Sequence, residues 1–221
     1  VLYSATIEKC VETMTAANDG GIKTVGDLLI KNVDLSTYNI KQYFDKGLLE
    51  CKFGDVEIEF FVALENLIYF EIKAPVSAEL PTVKIELPDT CSSKNSESES
   101  RGVNCYIRKF EGGDVVRDTG VAVSLRNIGA TTEDGFECQR CCVAVVTNFD
   151  DSQYAEKSIE MALNSDYENS KERTCMKWQK FFSASKVTLE DKEIESFYNP
   201  SLYHLAGCMG NKEFPPGLFG N

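Results

Sequence analysis

The clearest pattern in the chain is a two-residue alternation around a single turn. Leu48 to Phe53, the pair Gly54-Asp55, then Val56 to Val62 read as a hairpin. Gly-Asp suits a two-residue primed turn, because glycine supplies a positive φ without steric cost. Val56, Ile58, Phe60, Val62 and Leu64 then alternate with Glu57, Glu59, Phe61 and Ala63. The first set is expected in a core and the second on a partly polar face. Leu67 to Ile72 and Val83, Ile85 and Leu87 continue the strand pattern. Pro88 to Asn104 is dominated by Ser, Glu, Lys and Asn, cannot bury apolar area, and is expected to be a mobile loop. Strands return at Cys105 to Phe110, Gly120 to Leu125 and Phe136 to Thr147, with turns at Gly112-Gly113 and Asp134-Gly135. Frequent strands with short turns predict an antiparallel sandwich over residues 1–150, and the lack of any helix-length stripe before residue 150 excludes a doubly wound fold.

The period changes after Asn148-Phe149-Asp150-Asp151. Ala155, Ile159, Ala162 and Leu163 form one helical stripe, and Cys175, Trp178 and Phe182 form a second. A third helix begins near Thr188 to Asp191, either of which could cap it. Ile194, Phe197, Tyr198, Leu202 and Leu205 supply its apolar side, and Asn199-Pro200 is expected to kink or divide it. Residues 151–221 therefore read as a helical connector.

Charge narrows the partners. The net charge of −12 argues against nucleic acid, which needs a cationic footprint, and against an anionic membrane surface. Neutral ligands such as sugars are compatible with it. No apolar run approaches the roughly 18 residues of a membrane span. Nine cysteines, several within apolar patterns (Cys51, Cys142, Cys175), read as small hydrophobes in a reducing, cytoplasmic setting.

Candidate chemistry is sparse. Cys138, Cys141 and Cys142 contain a C-x-x-C spacing, but in a continuous strand residues i and i+3 point to opposite faces and cannot share a metal. His204, the only histidine, and Cys208 would share a helix face, yet two ligands do not make a structural site. Glu190, Asp191, Glu193 and Glu195 could offer paired carboxylates, although a helix start explains acidic residues more simply. There is no P-loop, dinucleotide fingerprint or nucleophile elbow; Gly207-Cys208-Met209-Gly210 has the wrong context for the last. No catalytic set, metal site or cofactor site can be assembled.

From Trp178 onward the motifs become specific. Trp178-x-x-Phe181-Phe182, then Ser185-x-Val187-x-Leu189-x-Asp191, then Ile194-Glu195-x-Phe197-Tyr198-Asn199-x-Ser201-Leu202-Tyr203-x-Leu205, then Pro215-Pro216-Gly217-Leu218-Phe219-Gly220-Asn221 resemble the connector of six-hairpin glycosidases. The specific match covers about the last 45 residues. In that family an amino-terminal, galactose-mutarotase-like β super-sandwich is joined by linker helices to an (α/α)6 barrel. The alpha-fucosidase-type hydrolases and maltose-phosphorylase-type enzymes are similar in this architecture. The resemblance implies the non-catalytic amino-terminal part of a bacterial glycoside hydrolase or phosphorylase, with residues 193–208 as the first barrel helix. Its partners would be its own downstream catalytic barrel and, through the whole enzyme, an oligosaccharide; it can also support a homodimer. The general acid and base would lie downstream, acting with inversion at the anomeric carbon. By match, Gly217, Phe219 and Asn221 belong to a loop at the sugar site, where Phe219 would stack on a ring and Asn221 would bond hydroxyls; the alternative is a loop that only packs the barrel entrance. The alternative is a stand-alone carbohydrate-binding or adhesion sandwich. A mutarotase-like epimerase is disfavoured, because such enzymes use histidine acid–base pairs and His204 lies outside the sandwich.

Overall fold

The structure, a computed structural model, describes residues 25–88, 93–112, 118–185 and 187–208, the side chain of Cys208 excepted. Among the described residues ten strands precede three helices: β1 (Asp27–Lys31), β2 (Tyr38–Tyr43), β3 (Leu48–Phe53), β4 (Val56–Val62), β5 (Leu67–Pro75), β6 (Thr82–Glu86), β7 (Ser93–Ser100), β8 (Val103–Phe110), β9 (Thr119–Glu133) and β10 (Phe136–Thr147). The helices are α1 (Tyr154–Leu163), α2 (Tyr167–Ser185) and α3 (Lys192–Cys208). The chain is mainly β and antiparallel, with its described helices at the carboxyl side.

Eight strands form one sheet in the order β2-β3-β4-β5-β10-β9-β8-β7, and β1 pairs β6 in a separate ribbon. The ribbon is the second layer of the sandwich. Its Leu28, Ile30, Val83 and Ile85 pack on Phe70, Val121, Val123, Cys141 and Val143. The helices cover the other side: Ile159 and Ala162 of α1 and Tyr167 of α2 join Phe61, Tyr69, Val103, Cys105, Ala122, Cys142 and Ala144. Because both faces of the central strands are buried, β10 is apolar without alternation, as Cys141 to Ala144 show.

Three expectations need correction. Pro88 to Asn104 is not a loop throughout: β7 occupies 93–100 and pairs with β8 across Arg101-Gly102, both at positive φ (54° and 74°). Main-chain bonds to β8 hold β7 in place, and its polar side chains are those of an edge with little to bury. At the end of β4 and just beyond it, Phe61 and Ala63 are buried whereas Val62 and Leu64 are exposed. Both faces of this segment are apolar, and the helices cover the Phe61 side while the ribbon reaches only as far as Phe60. Finally, of the two outcomes expected at Asn199-Pro200, a kink or a division, the division does not occur: α3 continues through Pro200. The turns at Gly54 (φ 56°) and Asp134-Gly135 (φ 51° and 80°) lie where the alternation put them; Gly113 lies outside the described residues.

α1 lies close to the sheet because the residues beneath it are small. Ser158 bonds Ser124 (2.7 Å) and donates to the Ala155 carbonyl (2.8 Å), so its hydroxyl is satisfied in the core. Arg126 of β9 donates to the carbonyls of Ala162 (3.0 Å) and Leu163 (2.6 Å), placing a cation at the negative end of the helix.

Candidate functional site

Two surfaces on the helix-facing side stand out, one polar and one apolar. The polar surface follows from strand register. Directly paired residues on antiparallel strands share a face. One row across the sheet therefore reads Lys41, Glu50, Glu59, Glu71, Arg140, and the next Asn39, Lys52, Glu57, Lys73, Cys138. Beyond the reach of α2 these rows line a groove of about 530 Å³.

The groove is held in shape by its own charges. Tyr167 of α2 donates to Glu59 (2.6 Å), and Lys171 pairs with the same oxygen (2.5 Å). Arg140 donates to Glu71 (2.5 Å), bonds Glu168 of α2 (2.8 Å), and lies 4.3 Å from the Tyr167 ring centre. Burial, reinforced by the Glu59 carboxylate, pushes the Tyr167 phenol far above its ordinary range. Burial works against the Arg140 charge, but Glu71 and Glu168 more than offset it and its pKa is raised. Tyr43 donates to Glu50 (2.9 Å), which raises that phenol, and Lys52 pairs with Glu57 (3.0 Å). Lys73 lies 4.8 Å from the Phe136 ring centre. Glu59 and Glu71 are each engaged by a cation, so the groove offers fixed donors and acceptors rather than an acid facing a base across a gap.

The apolar surface forms where α2 meets α3. Trp178 is buried against the turn between β2 and β3. Gly47 there has φ 66°, and a Cβ on it would overlap the indole, so glycine is required on both counts. Tyr203 of α3 covers the indole with ring centres 4.3 Å apart and also meets Phe44 (5.3 Å). Burial raises the Tyr203 phenol, and Gln42 opposes that rise. Beside this stack Trp178, Phe181, Ala184, Leu202, Leu205 and Ala206 line a notch of about 840 Å³. α3 turns more of its apolar residues outward: Phe197 is 69% exposed and Ile194 55%, and Tyr198 and Leu205 are exposed as well.

The acidic run resolves as a helix start. Asp191 accepts from the amides of Glu193 (3.0 Å) and Ile194 (3.2 Å), and Glu195 reaches back to the Leu189 amide (2.8 Å). This makes Asp191, not Thr188, the cap. Cys141 and Cys142 are buried on opposite faces of β10, and burial pushes both thiols up to about 11. His204 is exposed on α3, its ring 5.8 Å from that of Tyr203. Among the described residues no cluster of His, Cys, Asp and Glu could hold a metal, and no helix is long and apolar enough to cross a membrane.

Gly217, Phe219 and Asn221, the expected sugar contacts, lie outside the described residues. Glu59 and Glu71 of the groove, and Arg140, Tyr167 and Lys171 that hold them, escape sequence reasoning. The alternating charges of Glu57, Glu59, Glu71 and Lys73 are visible as a polar face, but their alignment depends on which strands pair.

No family model matches the chain, and no curated protein matches it. Among solved structures the chain is similar, over 83% of its length, to one described as "Putative kojibiose phosphorylase from human microbiome", with a TM-score of 0.43 and 12% identity. The chain spans 30% of that protein's length.

Proposed function

We propose that this chain is the amino-terminal sandwich (residues 1–150) and helical connector (residues 151–221) of a carbohydrate-active enzyme of the six-hairpin kind, a glycoside hydrolase or phosphorylase. The observation that carries the reading is the outward apolar side of α3 beside the Trp178–Leu205 notch. A contiguous surface of Ile194, Phe197, Leu202 and Leu205 is costly to leave in water and is shaped to receive further helices. In this reading α3 opens the catalytic barrel and Trp178–Tyr203 fixes its angle to the sandwich. The chain braces the barrel and shapes one rim of the sugar site, while the acid and base lie downstream. The test is expression of the chain alone and continued through its natural downstream sequence, each assayed on aryl glycosides with and without phosphate. Activity confined to the longer protein is expected. Activity of the short chain alone would sink the reading.

A second reading, a self-contained carbohydrate-binding module, is favoured by the polar groove over β2 to β5. It predicts sugar affinity in the isolated chain. Calorimetric titration with neutral oligosaccharides, repeated on Glu50→Gln and Lys41→Ala, separates it from the first: no heat with any sugar removes it.

A further inference from the structure

The side of the sheet away from the helices holds a recess of its own. Leu80 to Val83, where the chain enters β6, and strands β8, β9 and β10 enclose a pocket of about 370 Å³. Register places its parts. Asn104 of β8 pairs with Leu125 of β9, and Asn127 of β9 pairs with Cys141 of β10. Leu125 and Cys141 belong to the cluster under the ribbon, so Asn104 and Asn127 stand on that same face. Gln139 lies two positions before Cys141 and shares it. Buried Leu125, Cys141 and Pro81 give the pocket an apolar lining, and three carboxamides stand at its mouth, Asn104 and Asn127 exposed and Gln139 half-buried. The pairing of β9 with β10 shifts register between Arg140 and Cys141, an irregularity of the kind that re-aims side chains beside binding sites. It falls at Asn127, whose Oδ1 accepts from the Gly129 amide (3.1 Å); that bond fixes the side chain and leaves its NH2 group to donate elsewhere. Among the described residues lining this pocket none is charged, whereas most of those lining the helix-side groove are.

We propose that this pocket binds one neutral, hydroxyl-rich ring of monosaccharide size. The ligand class follows by elimination and by fit. An ion would give up water without meeting a countercharge. A wholly apolar ligand would leave the carboxamides without partners. Each carboxamide both donates and accepts, and so does a hydroxyl, so neighbouring hydroxyls match the three groups. The C–H face of the ring can then lie on Leu125 and Pro81. The volume is near the lower end of the roughly 300–1,000 Å³ of ligand sites, which leaves room for a single ring. The site is on the opposite side of the sheet from the charged groove, and it needs neither that groove nor a downstream barrel.

The test is titration of the isotope-labelled chain with glucose, galactose and mannose in turn, followed through the side-chain amide signals of asparagine and glutamine by nuclear magnetic resonance. Saturable shifts of Asn104, Asn127 and Gln139 are expected with at least one of these sugars, while Asn39 of the groove stays unmoved. Gln139→Met and Asn104→Leu keep the side-chain shape and remove the carboxamide. Each is expected to weaken binding about fivefold, the worth of one hydrogen bond. Lys41→Ala in the groove is expected to leave the affinity unchanged, which separates this site from the binding-module reading of the groove. Shifts that saturate with none of the three sugars overturn the proposal, as do shifts centred on Asn39 or a loss of affinity on Lys41→Ala. Affinity untouched by both carboxamide substitutions also overturns it. If either substituted chain loses its fold by circular dichroism, the position of the wild-type shifts decides alone.

Discussion

From β10 to β8 the helix-facing side of the sheet carries Cys142, Ala144, Ala122, Ser124, Val103 and Cys105, and α1 lies directly on it. On β3 and β4 the same side carries Glu50, Lys52, Glu57 and Glu59, and the helices leave a groove. The backbone is a continuous ladder across both halves, so side-chain size and charge make the difference. Small apolar residues let a helix axis approach, and dispersion and apolar burial hold it there. Charged rows cannot be covered without a desolvation cost that only complementary charges offset, and α2 meets it at Tyr167, Lys171 and Glu168 alone. One half builds stability; the other presents surfaces.

Alkaline pH is expected to break the closed half with the largest effect. Folded Cys141 and Cys142 titrate at about 11, against an ordinary value of 9.0. Between those values the unfolded chain releases protons that the folded chain keeps. Stability is therefore full below the lower value and falls as pH rises through the window, by on the order of 5 kcal/mol for the pair. Tyr167 adds to the same trend at higher pH. Urea unfolding at a series of pH values measures this, and Cys141→Ala with Cys142→Ala should flatten the slope.

On the open half, Trp178→Ala should cost about 3–5 kcal/mol, because it empties the stack between Gly47 and Tyr203. The wild-type indole is the only tryptophan, so its fluorescence reports this junction, while circular dichroism follows the sheet. Ala162→Leu should cost about 1–3 kcal/mol by overpacking α1 on the closed half, read as a lowered urea midpoint. Tyr167→Phe removes the hydroxyl bond to Glu59 and should cost about 1 kcal/mol, since Lys171 still holds that carboxylate. The smallest effect is expected at the exposed Lys52–Glu57 pair: Lys52→Ala should shift stability by less than about 0.5 kcal/mol, and a larger loss would mean the groove charges brace the sheet.

Much of the fold was legible in the residues. The hairpin at Gly54, the turn at Asp134-Gly135 and the change to helices after Asn148 are written in local period and turn chemistry, and the structure has them there. β7 was not legible, because an edge strand has no buried face and its Ser-Glu-Lys composition matches that of a loop. Alternation gives two faces without saying which one is covered, so the pattern alone points Val62 and Leu64 inward. The groove was less legible still. Glu59, Glu71, Arg140 and Tyr167 lie up to 108 positions apart, and strand pairing brings them together.

The sequence by itself determined the mainly β character, the antiparallel turns and the helical connector, because each is set within a few residues by dihedral preference and period, while it left the cap of α3 open between Thr188 and Asp191. Only the tertiary structure decided the strand order, which side each helix covers, the two charged rows and the Trp178–Tyr203 stack. These depend on contacts between distant segments, and a chain of residues does not state which of its apolar faces will find a cover and which will be left to present a surface.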